Sequence, residues 1–445
     1  MELSNDTVSI LYLIATVLFI FGLKGLSSNR TALLGNKCAM AGMAIAVITT
    51  LLHPEIKNYK WIWAGMITGG IIGSVVALKI NMTAMPQLVA AFHSFVGLSA
   101  VLIAWGMDII HGGELNKALA IEVIAGCFIG GITFTGSVIA FCKLQGLMDS
   151  SPVKFKGQHF MNLLLFLISV AFGVKFVFSG AIYSLTAVSL LSFLLGVTLI
   201  IPIGGGDMPV VVSMLNSYSG WAAAATGFTL QNNLLITTGA LVGASGAILS
   251  YIMCKAMNRS FIHVILGGYG MVEGGENARA IAAKKGAKVV DVEDAAFMLE
   301  NAKKVLIIPG YGMAVAQAQY AIKELYDVLT SRGTEVKFAI HPVAGRMPGH
   351  MNVLLAEADI PYESVVELDQ INSEFASADV AFVIGANDVV NPSAKTDTSS
   401  PLYGMPILDA YRARQVFICK RSLNPGYAGV DNPLFYAPNA SLVLG

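Results

Sequence analysis

A glycine-rich turn in the second half of the chain has the residue types that hold a phosphorylated ligand. The stretch Val305-Leu-Ile-Ile-Pro-Gly-Tyr-Gly-Met-Ala-Val-Ala-Gln317 predicts a buried strand, then a turn containing Gly310 and Gly312, then a helix. The first glycine allows a tight turn, the second lets the backbone approach a pyrophosphate, and a helix N-terminus favours an anion. Val315 replaces a third glycine and Pro309 is unusual in such a turn, so the motif depends on its strand–turn–helix context. In that context it predicts a dinucleotide site.

Residues after two later strands indicate which dinucleotide binds. An acidic residue at the end of the second strand would select NAD, but that strand ends in His341-Pro-Val-Ala-Gly-Arg346, with a base and no acid. The last predicted strand ends in Lys420-Arg421-Ser422, two cations and a hydroxyl that suit a 2′-phosphate. This pattern favours NADP(H), although two cations at a solvated strand end would give the same sequence.

Two further loops complete the predicted site. The stretch Gly385-Ala-Asn-Asp388 follows another strand, at the edge of the sheet where open α/β sheets bind ligands. The stretch Asn424-Pro-Gly-Tyr-Ala-Gly-Val430 has the glycines and the aromatic residue of a loop that closes over a ligand. The sequence has no Ser-His-Asp set, zinc ligand cluster or Walker lysine. We therefore expect the chemistry to reside in a bound cofactor that the protein positions.

The elements that position these loops alternate between strand and helix. Helices are predicted at Asp291–Asn301, Met313–Ser331 and Gly349–Asp359 and near Asn372–Ala376, the first of them capped by Asp291. This alternation predicts a doubly wound parallel sheet of the Rossmann type. The predicted strands are Lys303–Ile308, Val336–Ile340, Val365–Leu368, Asp379–Ile384 and Gln415–Cys419.

The first half of the chain has the composition of a membrane bundle. The 445 residues have a mean hydropathy of +0.67 and are only 13% charged, against about 25% in soluble domains. We therefore predict three regions: a transmembrane domain at 1–258, a hinge and leading helix at 259–302, and a nucleotide domain at 303–445. The hinge includes the stretch 267–270, Gly-Gly-Tyr-Gly. Nine spans of roughly 20 apolar residues are expected at about 7–24, 34–52, 61–79, 85–106, 118–142, 159–175, 181–203, 208–228 and 233–254.

The placement of basic residues predicts the orientation of the spans. Alternate connecting segments carry nine lysines and arginines on one side and four on the other. By the positive-inside rule the nucleotide domain is cytoplasmic, and an odd number of spans then puts the N-terminus outside.

Polar residues within the spans are candidates for moving a proton. His93 lies well inside the fourth span, Asn216 lies inside the eighth, and Asp207 lies at the edge of the eighth. Such groups are costly in lipid, and histidine titrates near neutral pH, which suits a proton relay. The other explanation for His93 is a neutral side chain that ties two helices together. Small residues also recur, at 65–73, 126–131 and 239–246, and predict close helix packing.

Together these stretches resemble the β subunit of proton-translocating NAD(P) transhydrogenase. The similar segments include Pro309–Gln319, Val343–Asn352, Ala91–Phe95 and Asp207–Trp221, together with the loops at Gly385, Lys420 and Gly426. The resemblance implies hydride transfer between NAD(H) and NADP(H), coupled to proton movement across the membrane. It places NADP(H) on this chain and NAD(H) on a separate α subunit.

The resemblance also assigns roles to residues. It places His93, Asn216 and Asp207 on the proton path, and Arg346 and Asp388 near the nicotinamide. The residues implied to bind the cofactor are Gly310, Tyr311, Gly312, Met313, Ala314, Val315, Ala344, Gly345, Arg346, Met347, Gly385, Ala386, Asn387, Asp388, Lys420, Arg421, Ser422, Gly426, Tyr427, Ala428, Gly429 and Val430.

The expected setting is a bacterial inner membrane, with a homodimer of the α–β unit and no nucleic-acid partner. A competing hypothesis is a transporter or channel that senses NADP(H) without transferring hydride. A third hypothesis is an NADP reductase held at the membrane by an anchor. Such an anchor needs only one span, whereas nine are predicted.

Overall fold

The computed structural model of the chain describes residues 4–26, 31–54, 56, 58–149, 152–153, 155–265, 286–426 and 428–445. Nine long helices make up the first half of these residues and lie close to the nine predicted spans. They are α1 (Asn5–Leu26), α2 (Ala32–Leu51), α3 (Lys60–Lys79), α4 (Met85–Ile110), α5 (Lys117–Leu144), α6 (Gln158–Ser179), α7 (Ile182–Ile200), α8 (Met208–Thr229) and α9 (Asn233–Ala256).

Helix α8 differs from the other helices of the bundle. Among the described residues, the other eight are long and apolar enough to cross a membrane. Most of α8 is buried, and it packs against α4, α5 and α9. Its polar side chains therefore face other helices rather than lipid, which removes the need for an apolar surface. The chain is a multi-pass membrane protein built around this central polar helix.

Glycines bring two pairs of these helices into backbone contact. A Cβ on Gly97 of α4 would lie 2.6 Å from the carbonyl oxygen of Gly130 on α5. A Cβ on Gly220 of α8 would lie 2.3 Å from the nitrogen of Gly243 on α9. The predicted packing role of small residues is confirmed on α5 and α9. The glycines of α3, beginning at Gly65, differ because a Cβ there meets no described atom within 4 Å.

The second half contains a six-stranded parallel sheet, as the alternation of elements predicts. Its order, β3-β2-β1-β4-β5-β6, is that of the Rossmann fold. Alternate residues of the first strand enter opposite cores, Leu306 and Ile308 on one face and Val305 and Ile307 on the other. Helices therefore cover both faces of the sheet. The strands are β1 (Lys304–Pro309), β2 (Glu335–Ile340), β3 (Val365–Glu367), β4 (Val380–Ile384), β5 (Gln415–Lys420) and β6 (Ala440–Leu444).

The helix after the glycine turn is shorter than predicted. The sequence indicates one helix at Met313–Ser331, whereas the structure has a helix at Tyr311–Val315 and a second at Gln319–Ser331. Between them Gln317 adopts a left-handed conformation, with φ at 51°. A continuous right-handed helix cannot pass through such a residue, so the prediction of one helix is wrong.

Other element bounds differ less from the predictions. The helix expected near Asn372–Ala376 is an α-helix at Leu368–Ile371 followed by a 3₁₀ turn at Asn372–Ser377. The helix predicted at Gly349–Asp359 spans His350–Glu357. The final apolar run was not predicted as a strand; it is β6 and pairs with β5 from Val416 to Lys420.

The segment between the two halves is described only in part. A short helix at Phe261–Ile265 follows α9, and a helix at Val292–Glu300 precedes β1. The latter begins after Asp291, as predicted, although the Asp291 side chain makes no capping hydrogen bond. Residues 266–285, which include the predicted Gly-Gly-Tyr-Gly stretch, lie outside the described residues.

We predict that replacing Gly97 with alanine destabilises the bundle by about 1–3 kcal/mol, because the new methyl group would overlap the α5 backbone. Gly65→Ala on α3 is the matched control, since alanine there meets open space and gains about 0.5–1 kcal/mol of helix propensity. Thermal unfolding of the full chain in lipid nanodiscs measures both. Equal melting temperatures for the two variants would contradict the packing assigned to Gly97.

Candidate functional site

The glycine turn after β1 lies against the turn after β4. The Gly310 N–H donates to the carbonyl oxygen of Ile384 at 2.9 Å, and the Gly312 N–H donates to that of Gly385 at 2.9 Å. A Cβ on Gly310 would lie 2.5 Å from the Cα of Ala386, and one on Gly312 would lie 2.6 Å from the Cα of Gly385. These glycines are therefore required by backbone contact between the turns. The contact lies where strand order reverses, the point at which such sheets bind ligands.

The unusual features of the motif have structural explanations. The Val315 side chain is 57% exposed, so the third position of the motif needs no close approach here. Pro309 is the last residue of β1, paired with Ile384, and lies before the turn. The helix after the turn has only five residues. The long helix dipole expected behind the ligand is therefore absent.

One cleft brings together most of the predicted cofactor residues. Three of its residues were not among them: Val343, Val389 and Pro425. The predicted residues that line the cleft are Gly310, Tyr311, Gly312, Ala344, Gly345, Arg346, Gly385, Ala386, Asn387, Asp388, Lys420 and Gly426.

The remaining predicted residues are not among the described residues that line this cleft. Met313 and Ala314 are buried in the core beneath the turn. Arg421 is exposed and Ser422 is half-buried just beyond the end of β5, and Tyr427 lies outside the described residues. The others are Val315, Met347, Ala428, Gly429 and Val430.

The loop after β5 folds back over the cleft through Asp388. The Ala428 N–H donates to Asp388 Oδ2 at 3.0 Å. A Cβ on Gly426 would lie 2.3 Å from Asp388 Oδ1, so a larger residue would have to displace this carboxyl group. Asn387 Nδ2 also donates to the carbonyl oxygen of Asn424 at 3.2 Å. These contacts place the predicted lid loop over one end of the cleft.

Lys420, the last residue of β5, brings a positive charge to this cleft. Its ammonium group donates to the carbonyl oxygen of Asn424 at 3.3 Å and lies 4.8 Å from the centre of the Phe435 ring. Burial lowers the pKa of Lys420 to about 8, and the Asp388 carboxylate acts in the opposite direction. An anion placed in the cleft would restore the ordinary pKa, because it stabilises the charged form.

Two buried histidines fix the loop between β2 and the next helix. Burial lowers the pKa of His341 to about 4, and burial together with the Arg346 charge lowers the pKa of His350 to about 4. His341 Nδ1 accepts from the Val343 N–H at 3.2 Å, and His350 Nδ1 accepts from the Arg346 N–H at 3.0 Å. Both rings are therefore neutral at pH 7 and act as acceptors that shape the cleft wall.

In the membrane bundle, His93 of α4 contacts α8 through Ser219, a residue that was not among the predicted ones. His93 Nδ1 lies 3.0 Å from Ser219 Oγ, which also lies 2.8 Å from the Asn216 carbonyl oxygen. If the single hydroxyl hydrogen is donated to that carbonyl, His93 must donate from Nδ1. Nε2 then carries a lone pair that can accept a proton. Nε2 is buried without a hydrogen-bond partner among the described residues.

Asp207 directly precedes α8 and Asn216 lies within it, as the sequence predicted. Asp207 is fully buried and forms an ion pair with Arg259, which follows α9. The backbone carbonyl oxygen of Asn216 accepts a hydrogen bond from the Ser219 hydroxyl, which also contacts His93. Two buried charged residues were not predicted: Lys143 at the end of α5 and Asp108 near the end of α4. Both lie in the final turns of helices, where loops were expected to begin.

The architecture defines a class: a polytopic membrane protein with buried titratable side chains, joined to a Rossmann domain whose cleft lies at the strand-order reversal. The sequence matches the family of the NAD(P) transhydrogenase beta subunit over residues 8–445. The NAD(P) transhydrogenase subunit beta of Rhodospirillum rubrum is 57% identical over 441 residues, covering 98% of this chain and 95% of that protein. A protein of the same name from a strain of that species matches equally.

The chain belongs to the NAD(P) transhydrogenase beta subunit family. The resemblance inferred from its sequence is therefore confirmed. Membership implies binding of a nicotinamide nucleotide, and a β subunit implies an α subunit as partner.

We predict that Gly385→Ala lowers affinity for the nicotinamide nucleotide at least about tenfold, equivalent to about 1.4 kcal/mol. A Cβ at this residue would lie 2.3 Å from the Met313 nitrogen and would separate the two turns. Gly333→Ala is the control, because Gly333 also has a positive φ but its Cβ meets no described atom within 4 Å. Calorimetric titration of the full chain measures both. Equal losses would show that backbone strain, rather than the contact between turns, is responsible.

Proposed function

We propose that this chain binds NADP(H) in the cleft and that NAD(H) is held by the α subunit. Hydride passes between the two cofactors, and protons cross the membrane through this chain as it does so. The observation that carries the proposal is the cleft itself, where glycine turns allow close backbone approach and Lys420 supplies a partly buried cation.

The residues of the cleft fit NADP(H). The turns at Gly310, Gly312 and Gly385 lie backbone to backbone at the reversal of strand order, where a Rossmann sheet holds a pyrophosphate. Lys420, with its neighbours Arg421 and Ser422, holds the 2′-phosphate. The wall after β2 offers Arg346 and no acidic residue where NAD-selective sheets have one.

The nicotinamide supplies the hydride chemistry when it is bound. This chain orients it: Asp388 and Arg346 lie at the nicotinamide end, and the loop at Gly426–Val430 closes over it. Because Asp388 accepts from the Ala428 N–H, the closed position of that loop is tied to the cleft floor. Closure excludes water, which protects hydride transfer from side reactions.

The proton path lies between α4 and α8. His93 receives a proton on Nε2, and Ser219 holds its other nitrogen. On α5, which packs against both helices, the Ser137 hydroxyl is also buried without a hydrogen-bond partner among the described residues. Such groups call for bound water, which carries protons between side chains. Asp207, paired with Arg259, lies at the cytoplasmic end of the path.

Protonation shifts the nucleotide domain between an occluded and an exchanging state. A proton can shift that equilibrium only through different affinity for the two states, and the nucleotide must shift proton affinity by the same factor. The distribution of basic residues supports a cytoplasmic nucleotide domain and an N-terminus outside. The membrane is a bacterial inner membrane, and the α–β unit forms a homodimer.

The test measures hydride transfer from NADH to an NADP⁺ analogue in sealed vesicles while internal pH is followed. The full chain is compared with and without its α subunit. Turnover that needs the α subunit and moves protons supports the proposal. Proton movement without hydride transfer would instead identify a nucleotide-sensing transporter.

In the same assay we expect His93→Ala to lower proton-coupled turnover about 100-fold, the usual contribution of a proton-transfer group. His111→Ala is the control, because His111 is an exposed histidine that follows the end of α4. Correct assembly is checked by retained NADP⁺ binding. Unchanged proton-coupled turnover in His93→Ala would remove His93 from the path.

We also predict that NADP⁺ affinity falls above about pH 8. The pKa of Lys420 is lowered to about 8 in the free chain, and the 2′-phosphate raises it. Below pH 8 the Lys420 side chain is charged and supports NADP⁺ binding. As pH rises above 8, NADP⁺ affinity falls by up to about tenfold per pH unit. Titrations from pH 7 to 9.5 test this. Lys420→Arg should remove the decline, and NAD⁺ should not show it. A flat NADP⁺ profile for the unmodified chain would exclude this role.

A further inference from the structure

The loop at 341–350 contacts both the cleft and the membrane bundle. Its residues Val343 to Arg346 form one wall of the cleft. The same loop contacts the membrane bundle, where Val343 packs against a cluster that includes Val210 and Val264. The helix that follows it, His350–Glu357, contacts the 3₁₀ turn before α4.

On the cleft side, the Arg346 guanidinium is held against the glycine turn. Its carbon lies 4.4 Å from the centre of the Tyr311 ring, a stacked arrangement that suits arginine better than lysine. Arg346 Nε is buried without a hydrogen-bond partner among the described residues. The Arg346 side chain also lines the cleft.

On the membrane side, the same guanidinium binds the end of α5. Arg346 Nη1 donates to the carbonyl oxygen of Leu144 at 3.0 Å. Leu144 is the last residue of α5, so this oxygen has no acceptor role within the helix. A cation there also complements the negative end of the helix dipole. Gln87 Nε2 of α4 donates to the same oxygen at 3.2 Å.

The end of α5 is in turn tied to the segment that carries Asp207. Lys143 is 1% exposed, and its ammonium group donates to the carbonyl oxygens of Ile201 at 2.6 Å and Ile203 at 2.8 Å. Asp207 follows four residues after Ile203, and Gln87 lies on the helix that carries His93. The end of α5 therefore contacts Arg346, Gln87 of α4 and the segment that precedes α8. It connects both helices of the proposed proton path to Arg346.

We propose that Arg346 is the positioning residue that couples the cleft to the membrane bundle. Its fork-shaped side chain fixes the cleft wall against α5, so displacement of the α5 end changes the wall that contacts the cofactor. This inference rests on the proposed binding of NADP(H) in the cleft. It does not require that hydride transfer occurs.

The test is a double-mutant cycle on NADP⁺ affinity, measured by calorimetry with the full chain in lipid nanodiscs. Arg346→Lys keeps the charge and loses the fork. Val264→Ala weakens the packing of Val343 from outside the cleft. We expect Val264→Ala to weaken NADP⁺ binding at least threefold in the unmodified chain and less than 1.5-fold in Arg346→Lys, because the wall is already released there.

Val123→Ala is the matched control, since Val123 is an equally buried valine in the bundle and packs in a different cluster. It should leave affinity unchanged in both backgrounds. Val210→Ala replaces Val264→Ala if that variant does not fold. The proposal would be overturned if Val264→Ala weakened NADP⁺ binding by the same factor in the unmodified chain and in Arg346→Lys. It would also be overturned if neither Val264→Ala nor Val210→Ala changed NADP⁺ affinity. Failure of the hydride-transfer assay alone would overturn the proposed function and leave this coupling standing.

Discussion

Close approach of backbones, without an intervening Cβ, shapes both halves of this chain. In the bundle, Gly97 and Gly130 allow α4 to lie directly on α5, which fixes the helix that carries His93. In the sheet, Gly312 and Gly385 allow the turns after β1 and β4 to touch. Lipid offers no hydrophobic force between helices, and a cofactor's pyrophosphate needs a close approach to the backbone. The same residue type therefore solves two different problems.

Residues 341–350 lie between the cleft and the bundle. His341 and His350 hold the shared loop as neutral acceptors, because burial lowers the pKa of each to about 4. Arg346 is left as the cation of that loop, and it lies between the Tyr311 ring and the carbonyl oxygen of Leu144. Coupling between distant sites needs an element that both sites contact. In this chain one loop makes both contacts.

Local sequence patterns were sufficient for the architecture. Apolar runs of about 20 residues indicated nine spans, and the structure has nine helices there among the described residues. The alternation of strands and helices predicted the parallel sheet, and the spacing of Gly310 and Gly312 located the cleft. Predictions were weaker where two local signals disagreed. The periodicity of residues 313–331 indicated one helix, but the left-handed Gln317 divides it.

The sequence by itself determined what crosses the membrane, what folds as a Rossmann sheet and where a dinucleotide turn lies, because each depends on neighbours within about 20 residues. Only the tertiary structure decided that Ser219 holds His93, that Arg259 pairs with Asp207, and that Arg346 reaches α5. The partners in these contacts are 126, 52 and 202 residues apart. Hydropathy and periodicity carry no information about pairs so distant. These contacts are determined by packing, because each buried polar group needs a partner once the helices have come together.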